Sequence, residues 1–459
     1  MKEKYEAFLN ERRSEHLEEM KAFLRIPSVS ALSEHKEDMN RAAKWLVDSM
    51  KKAGLENVKL MPTAGNPIVY ADWLHADSDK TVLVYGHYDV QPVDPLHLWQ
   101  TPPFEPDIRD EKIYARGASD DKGQVFMHIK AVEALLQTEG KLPVNIKFCI
   151  EGEEEVGSPT LEPFVAENKD LLAADVLVIS DTPMLERGKP AICYGLRGLC
   201  AMQVDVYGAN GDLHSGIYGG GVANPLHALS SILASLHDAD GRVAVKGFYD
   251  QVVPLTAEER QAYRELNYDE GAVKQELNVS ELYGEAGYSF LERTWARPTL
   301  EVNGLYGGFQ GEGTKTVLPA EAHAKLSCRL VANQEPDDIL NAVEAHIHAH
   351  TPPGVRVTVN RTDKGRPFQM PYDHPVIQAA MTAYEKAYEV KPALTRMGGS
   401  IPIVEGFGRL LAIPIVLMGF GLPGENFHAP NEHFHLENFD KGLLTICAYL
   451  KELVHTDWN

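Results

Sequence analysis

The sequence lacks most of the features that announce a role at once. It has only five cysteines in 459 residues, and no Cys-x-x-Cys pair. Cys149, Cys193, Cys200, Cys328 and Cys447 are scattered, odd in number and mostly set in apolar runs, which speaks against a disulfide framework; they are expected to be buried free thiols in a reducing cytoplasm. Positive charge is scarce: 44 Lys and Arg face 66 Asp and Glu, a formal charge of −22. That balance excludes nucleic acid and an anionic membrane surface as partners. Long apolar runs are missing too. The longest, Leu410 to Leu422, is too short to span a bilayer and contains Pro414; it reads as a buried strand. Met1 to His16 has no apolar centre and is not expected to be a signal peptide. There is no internal repeat, low-complexity tract, Gly-x-Ser-x-Gly, His-Glu-x-x-His or P-loop, so several hydrolase and nucleotide-binding classes drop out.

What remains is ordinary globular material, with 44% hydrophobic and 24% charged residues. At roughly 100–200 residues per domain, the length predicts two domains or more. Helical spacing is expected over 5–24 and 39–52, where Ala42, Trp45, Leu46 and Met50 share a face. Short apolar runs at 67–71, 81–85, 144–150 and 175–180 read as strands, with helical stretches at 123–137 and 160–169 between the later ones. Strands alternating with helices predict an α/β domain whose mixed sheet is largely parallel and flanked by helices. After about Gly198 the pattern changes to a few strands ("LCAMQVDVYG", "HAKLSCRLV", "VRVTVNR") and two amphipathic helices, at 226–236 and 339–347. The expected organisation is therefore a catalytic domain built from 1–197 and 367–459, interrupted by an α+β lid or dimerisation domain at 198–366. His346, His348 and His350 are expected to diverge on a solvated helix face.

The ends of the predicted strands carry the chemistry. "TVLV" runs into "YGHYDV", which puts His87 and Asp89 at a strand's carboxyl end. Asp181 follows "DVLVIS", the acidic cluster 151–155 follows "VNIKFCI", and His428 lies in a small-residue loop beyond 410–422. Ligands gather at such ends of parallel strands. "RGASDDKG" adds Asp120 and Asp121 just before a helix, where helix capping is the plainer explanation. Histidines and carboxylates converging from separate strands suit a pair of Zn²⁺ or Mn²⁺ ions bridged by one carboxylate. Asp89 would project to the same side as His87 and fix its tautomer. Spacing alone does not choose among Glu153, Glu154 and Glu155, or among His428, His433 and His435.

The motifs "GHYDVQP", "PPFEP", "IYARGASDDKG", "EGEEEVGS", "VISD", "YGLRG", "DLHSGIYGG", "KTVLP", "GGSIP" and "HAPNE", in that order, resemble the dinuclear metallopeptidase family of cytosolic non-specific dipeptidase and carnosine dipeptidase. The resemblance runs from about Arg25 to the C-terminus. It implies two divalent cations per subunit (Zn or Mn, with Co also suitable), held by His87, Asp120, Glu155, Asp181 and His428, with Asp120 as the bridge. It also implies Glu154 as general base, Asp89 as orienting residue, and a cis peptide between Asp120 and Asp121. Arg329, Thr316, Gly399 and Ser400 would bind the substrate's carboxylate end. A homodimer is implied as well, in which His214 completes the partner's site. The implied activity is hydrolysis of dipeptides. Two alternatives stand beside it: an N-acyl amino acid deacylase using the same site, and an inactive dimer that binds amino acids.

Overall fold

The computed structural model describes residues 3–399 and 401–457. The chain divides into two compact units: Met1–Tyr194 with Met370–Thr395 and Ile403–Asn459, and Gly195–Gln369 with Arg396–Pro402. Gly399 therefore groups with the second unit.

The first unit is built on a mixed sheet in which Glu56–Met61, Ile68–Trp73, Asn145–Glu151, Thr81–His87, Val176–Ile179, Ile415–Leu417 and Ala191–Leu196 lie side by side in that order. The four strands from Asn145–Glu151 to Ile415–Leu417 run parallel, and the outer pairings are antiparallel. Parallel strands are covered on both faces, which is why they read as unbroken apolar runs; Val176–Ile179 is buried at every position. Helices Lys4–Leu24, Lys36–Lys52, Lys122–Glu139, Pro375–Tyr388 and Leu436–His455 supply the cover. Phe23 stacks on Trp45 with centroids 4.4 Å apart, and Trp45 tilts against Phe126, so the first three of these helices share one core.

The run Leu410 to Leu422 is not one strand. Leu410 and Leu411 close the helix Pro402–Leu411, and only Ile415–Leu417 joins the ladder. Ala412 takes a left-handed φ of 55°, which stops the helix. Pro414 has no N–H for the ladder, although its carbonyl accepts from Leu177 N at 2.9 Å.

The second unit is an antiparallel sheet ordered Thr299–Gly307, Glu321–Leu330, Gly198–Tyr207, Arg356–Gly365. Buried positions alternate along Glu321–Leu330, and helices Pro225–Ala234 and Pro336–Ala349 close the core on that face. Strand Thr299–Gly307 and helices Ala257–Glu265, Glu270–Glu276 and Phe290–Ala296 were not anticipated. The helices are short, of seven to nine residues, yet two of them open with capping boxes, Thr256 with Glu259 and Ser289 with Glu292. Such Ser/Thr-x-x-Glu signatures were there to be read. His346 and His350 do not diverge as expected: one helical turn apart, their rings stack 3.9 Å between centroids, and His346 Nε2 meets Ser235 Oγ at 3.0 Å.

Candidate metal centre

The carboxyl ends of the parallel strands deliver the polar residues. His87 is the last residue of Thr81–His87 and is fully buried. Gly86 before it lets the strand lie against the helix Lys122–Glu139: a Cβ there would meet Val125 Cγ2 at 2.4 Å and Asp121 Oδ2 at 2.8 Å. Asp121 occupies that helix's N-cap position but does not cap it; its Oδ2 accepts from His87 N at 3.3 Å. The capping explanation of "SDD" therefore fails for Asp121. The Asp120–Asp121 peptide is cis.

Asp120 lies between two histidines. His87 Nε2 is 3.1 Å from its Oδ1, and His428 Nε2 is 2.9 Å from its Oδ2. Asp181, just beyond Val176–Ile179, stands 3.9 Å from His87 Nε2, and Glu155 Oε2 is 3.3 Å from His428 Nε2. Ligand atoms of His87, Asp120 and Glu155 all fall within 4.8 Å of one another. Two overlapping groups result, His87 with Asp181 and His428 with Glu155, and Asp120 belongs to both. His428 is the exposed member, in a loop with left-handed φ values at Asn426, His428 and Asn431.

The neighbouring candidates point elsewhere. The Glu153 carboxylate is taken by Thr160 Oγ1. His433 Nδ1 meets Asn431 O, and His435 Nδ1 meets Glu425 Oε1 at 2.6 Å. Glu154 makes no side-chain hydrogen bond among the described residues, and Asp120, Asp89 and both histidines lie within reach of its charge. Asp89 meets His87 Nδ1 through two groups. Its backbone carbonyl is the nearer partner of His87 Nδ1, at 3.1 Å against 3.4 Å for its carboxylate. The carboxylate also accepts from the backbone N–H groups of Glu154 and Glu155, at 3.3 and 3.1 Å.

The electrostatics call for a cation. Burial, then the charge of Asp120, pushes Glu155 up to about 8 and Asp181 well above the carboxylate range; burial also raises Glu154. Burial opposes ionisation of Asp120, but the hydrogen bond with His428 and the adjacent His87 imidazole hold it low. His428 is raised to about 9 by its bond to Asp120. Burial opposes charge on His87 as well, yet Asp120 and Asp89 outweigh it. His87 Nε2 is buried without a well-directed hydrogen bond. A buried imidazole nitrogen facing crowded carboxylates is the donor set that a divalent cation satisfies.

Residues that sequence reasoning missed surround this cluster. Gln91 Nε2 donates to Glu155 Oε2 at 2.8 Å. Arg116, Glu425 and Glu432 are buried and support the Asp120 and His428 loops. Gln91 and Glu432 lie inside quoted motifs, but nothing in the sequence marks which motif acids are buried.

The sequence-predicted substrate residues belong to the second unit, apart from Ser400, which lies outside the described residues. Arg329 sits in Glu321–Leu330 and lines a cavity of about 630 Å³ with Arg197, Arg297 and Tyr249. Thr316 is exposed, and its carbonyl accepts from Ser215 N at 3.1 Å. Gly399 is exposed. His214 is exposed as well, and its Nδ1 accepts from Gly216 N at 3.0 Å.

The sequence profile described as Peptidase family M20/M25/M40 matches residues 83–452, a span that holds every member of the cluster. The chain belongs to this family. Among its M20 relatives is the Schizosaccharomyces pombe protein named Cys-Gly metallodipeptidase dug1, 32% identical over 461 residues and covering 97% of both chains. The human protein named Beta-Ala-His dipeptidase is 35% identical over 393 residues, 84% of this chain and 77% of that one. Among solved structures, the M20 family metallo-carboxypeptidase Sso-CP2 from Sulfolobus solfataricus superposes with a TM-score of 0.82 at 33% identity, covering 96% of this chain and 99% of that one. No helix among the described residues is long and apolar enough to cross a membrane.

Proposed function

We propose that this M20 chain is a metal-dependent dipeptidase, a hydrolase of the peptide bond in dipeptides. The observation that carries the reading is Asp120, whose two carboxylate oxygens each face a different histidine. His87, Asp181 and one Asp120 oxygen would hold one divalent cation, and His428, Glu155 and the other oxygen a second. Zn²⁺ or Mn²⁺ fits these nitrogen and oxygen donors, and Co²⁺ would bind the same set. Bound there, the cations would supply Lewis-acid polarisation and lower the pKa of water.

This chain's own residues do the rest. Glu154, its pKa raised by burial and its carboxylate free of hydrogen bonds among the described residues, takes a proton from the attacking water and returns it to the departing amine. Asp89 holds the turn that carries Glu154 and Glu155 through their backbone N–H groups. Arg329 binds the substrate's terminal carboxylate, a task suited to a guanidinium fork, and Thr316, Gly399 and Ser400 complete that end. The second unit serves as lid and dimerisation domain, and His214 of the partner subunit donates to the oxygen where negative charge develops. The buried cysteines Cys149, Cys193, Cys200, Cys328 and Cys447 form no disulfide among the described residues, which supports a reducing cytoplasm as the working compartment.

The relatives' names, Cys-Gly and Beta-Ala-His dipeptidase, support a free dipeptide over an N-acyl amino acid. The test is a mixed panel of dipeptides, tripeptides and N-acyl amino acids incubated with the metal-reconstituted enzyme, with products identified by mass. Free amino acids released from dipeptides first are expected. Cleavage confined to N-acyl amino acids overturns the reading.

A further inference from the structure

Glu432 is completely buried, yet its oxygens are heavily used. Oε2 accepts from Arg116 Nη1 at 2.7 Å and Gly117 N at 2.9 Å. Oε1 accepts from Ser119 N at 3.0 Å and Asp120 N at 3.1 Å. Its backbone carbonyl accepts from Ala115 N at 3.1 Å. A loop that turns successive N–H groups onto one anion takes its shape from that anion. Here the loop so shaped delivers Asp120.

Glu432 also closes the short loop that holds His428, and Glu425 opens that loop. Glu425 is completely buried as well, and its Oε2 accepts from Ser119 Oγ at 2.6 Å and Leu422 N at 2.9 Å. Both ends of the His428 loop are thus bonded to the Asp120 loop. Arg116 extends the connection: its Nη2 donates to Pro92 O at 3.0 Å, in the segment that follows His87 and Asp89.

We propose that Glu432, with Glu425 as its companion, is the positioning residue of the metal centre, fixing Asp120 between His87 and His428 before any cation arrives. The inference rests on the metal reading above and adds who sets the bridge. Pre-set donors bind more tightly because less ordering accompanies binding. Outer partners of metal ligands typically govern roughly 10–100-fold in metal affinity.

Glu432→Gln keeps the shape but leaves one acceptor oxygen where converging donors now use two. Titrating Zn²⁺ or Mn²⁺ alone into metal-depleted full-length chain should show affinity weakened by about 10–100-fold relative to wild type. Melting of the same samples separates positioning from plain stability. Glu133→Gln, which removes a buried partner of Lys130 on the helix Lys122–Glu139, should lower the melting temperature and leave metal affinity unchanged. If Glu432→Gln does not fold, Glu432→Asp keeps the charge, withdraws it from Ser119 and Asp120, and should still weaken binding severalfold. Wild-type affinity in either folded Glu432 variant overturns the inference alone. A wild-type chain that binds no divalent cation overturns both it and the metal reading.

Discussion

His428 and Asp120 stand 308 positions apart in the chain, yet Nε2 of the one lies 2.9 Å from Oδ2 of the other. The contact joins the loop after the strand Ile415–Leu417 to the loop before the helix Lys122–Glu139. It places an exposed histidine against a carboxylate whose other oxygen already faces His87. In this arrangement Asp120 is committed to both halves of the cluster, and most of the expected outcomes depend on it.

Asp120→Ala should remove the shared anion. Two cations a few ångströms apart then repel without a bridge. Metal content by elemental analysis should fall below the wild-type value. Turnover should drop by more than the ~10–100-fold that loss of an outer partner costs. Full metal content in this variant would contradict the bridging role.

Glu154→Gln separates binding from chemistry. The ligands are untouched, so metal content should match wild type while turnover falls by roughly 10²–10⁴-fold, the usual worth of a general base. Near-normal turnover with bound metal would assign the base elsewhere.

Metal removal should also be visible in stability. Without cations, burial and the charge of Asp120 disfavour the ionised forms of Asp181 and Glu155, the forms that would hold a cation. A ligand that binds only the folded state adds about 2.7 kcal/mol at a hundred times its dissociation constant. Chelation should lower the melting temperature and Zn²⁺ or Mn²⁺ should restore it, whereas Glu155→Ala should show a smaller recovery. Identical melting with and without chelator would oppose the reading.

Subunit mixing tests the proposed shared site. Glu154→Gln chains and His214→Ala chains should each be nearly inactive. Once exchanged, a mixed dimer holds one site with both residues intact, so activity should reappear. Mixed dimers verified by mass that remain inactive, or a fully active His214→Ala enzyme, would exclude a contribution in trans.

Much of the first unit was legible because its signals are local. An apolar run such as "TVLV" ending in polar residues marks both a buried strand and the point where a site can form, and His87 and Asp181 lie at such ends. Asp120 was harder, since it sits in a loop whose path depends on Glu432, a buried carboxylate 312 positions along the chain; His428 was harder because Glu425 and Glu432, at the two ends of its own loop, are buried and turned toward that distant loop. Nothing local tells a buried Glu432 from a solvated acid. Leu410 to Leu422 misled for the opposite reason: it is apolar throughout, but the helix end, the left-handed Ala412 and Pro414 divide it. The helices Ala257–Glu265 and Phe290–Ala296 of the second unit are too short for a long stripe and are held also by caps and ion pairs, such as Arg260 with Glu292.

The most direct measurement is anomalous diffraction from crystals of the full chain grown with Zn²⁺ or Mn²⁺, collected on either side of the metal's absorption edge. The account predicts two peaks flanking the Asp120 carboxylate, one beside His87 and Asp181 and the other beside His428 and Glu155. A single peak away from Asp120, or none at full metal loading, would contradict it.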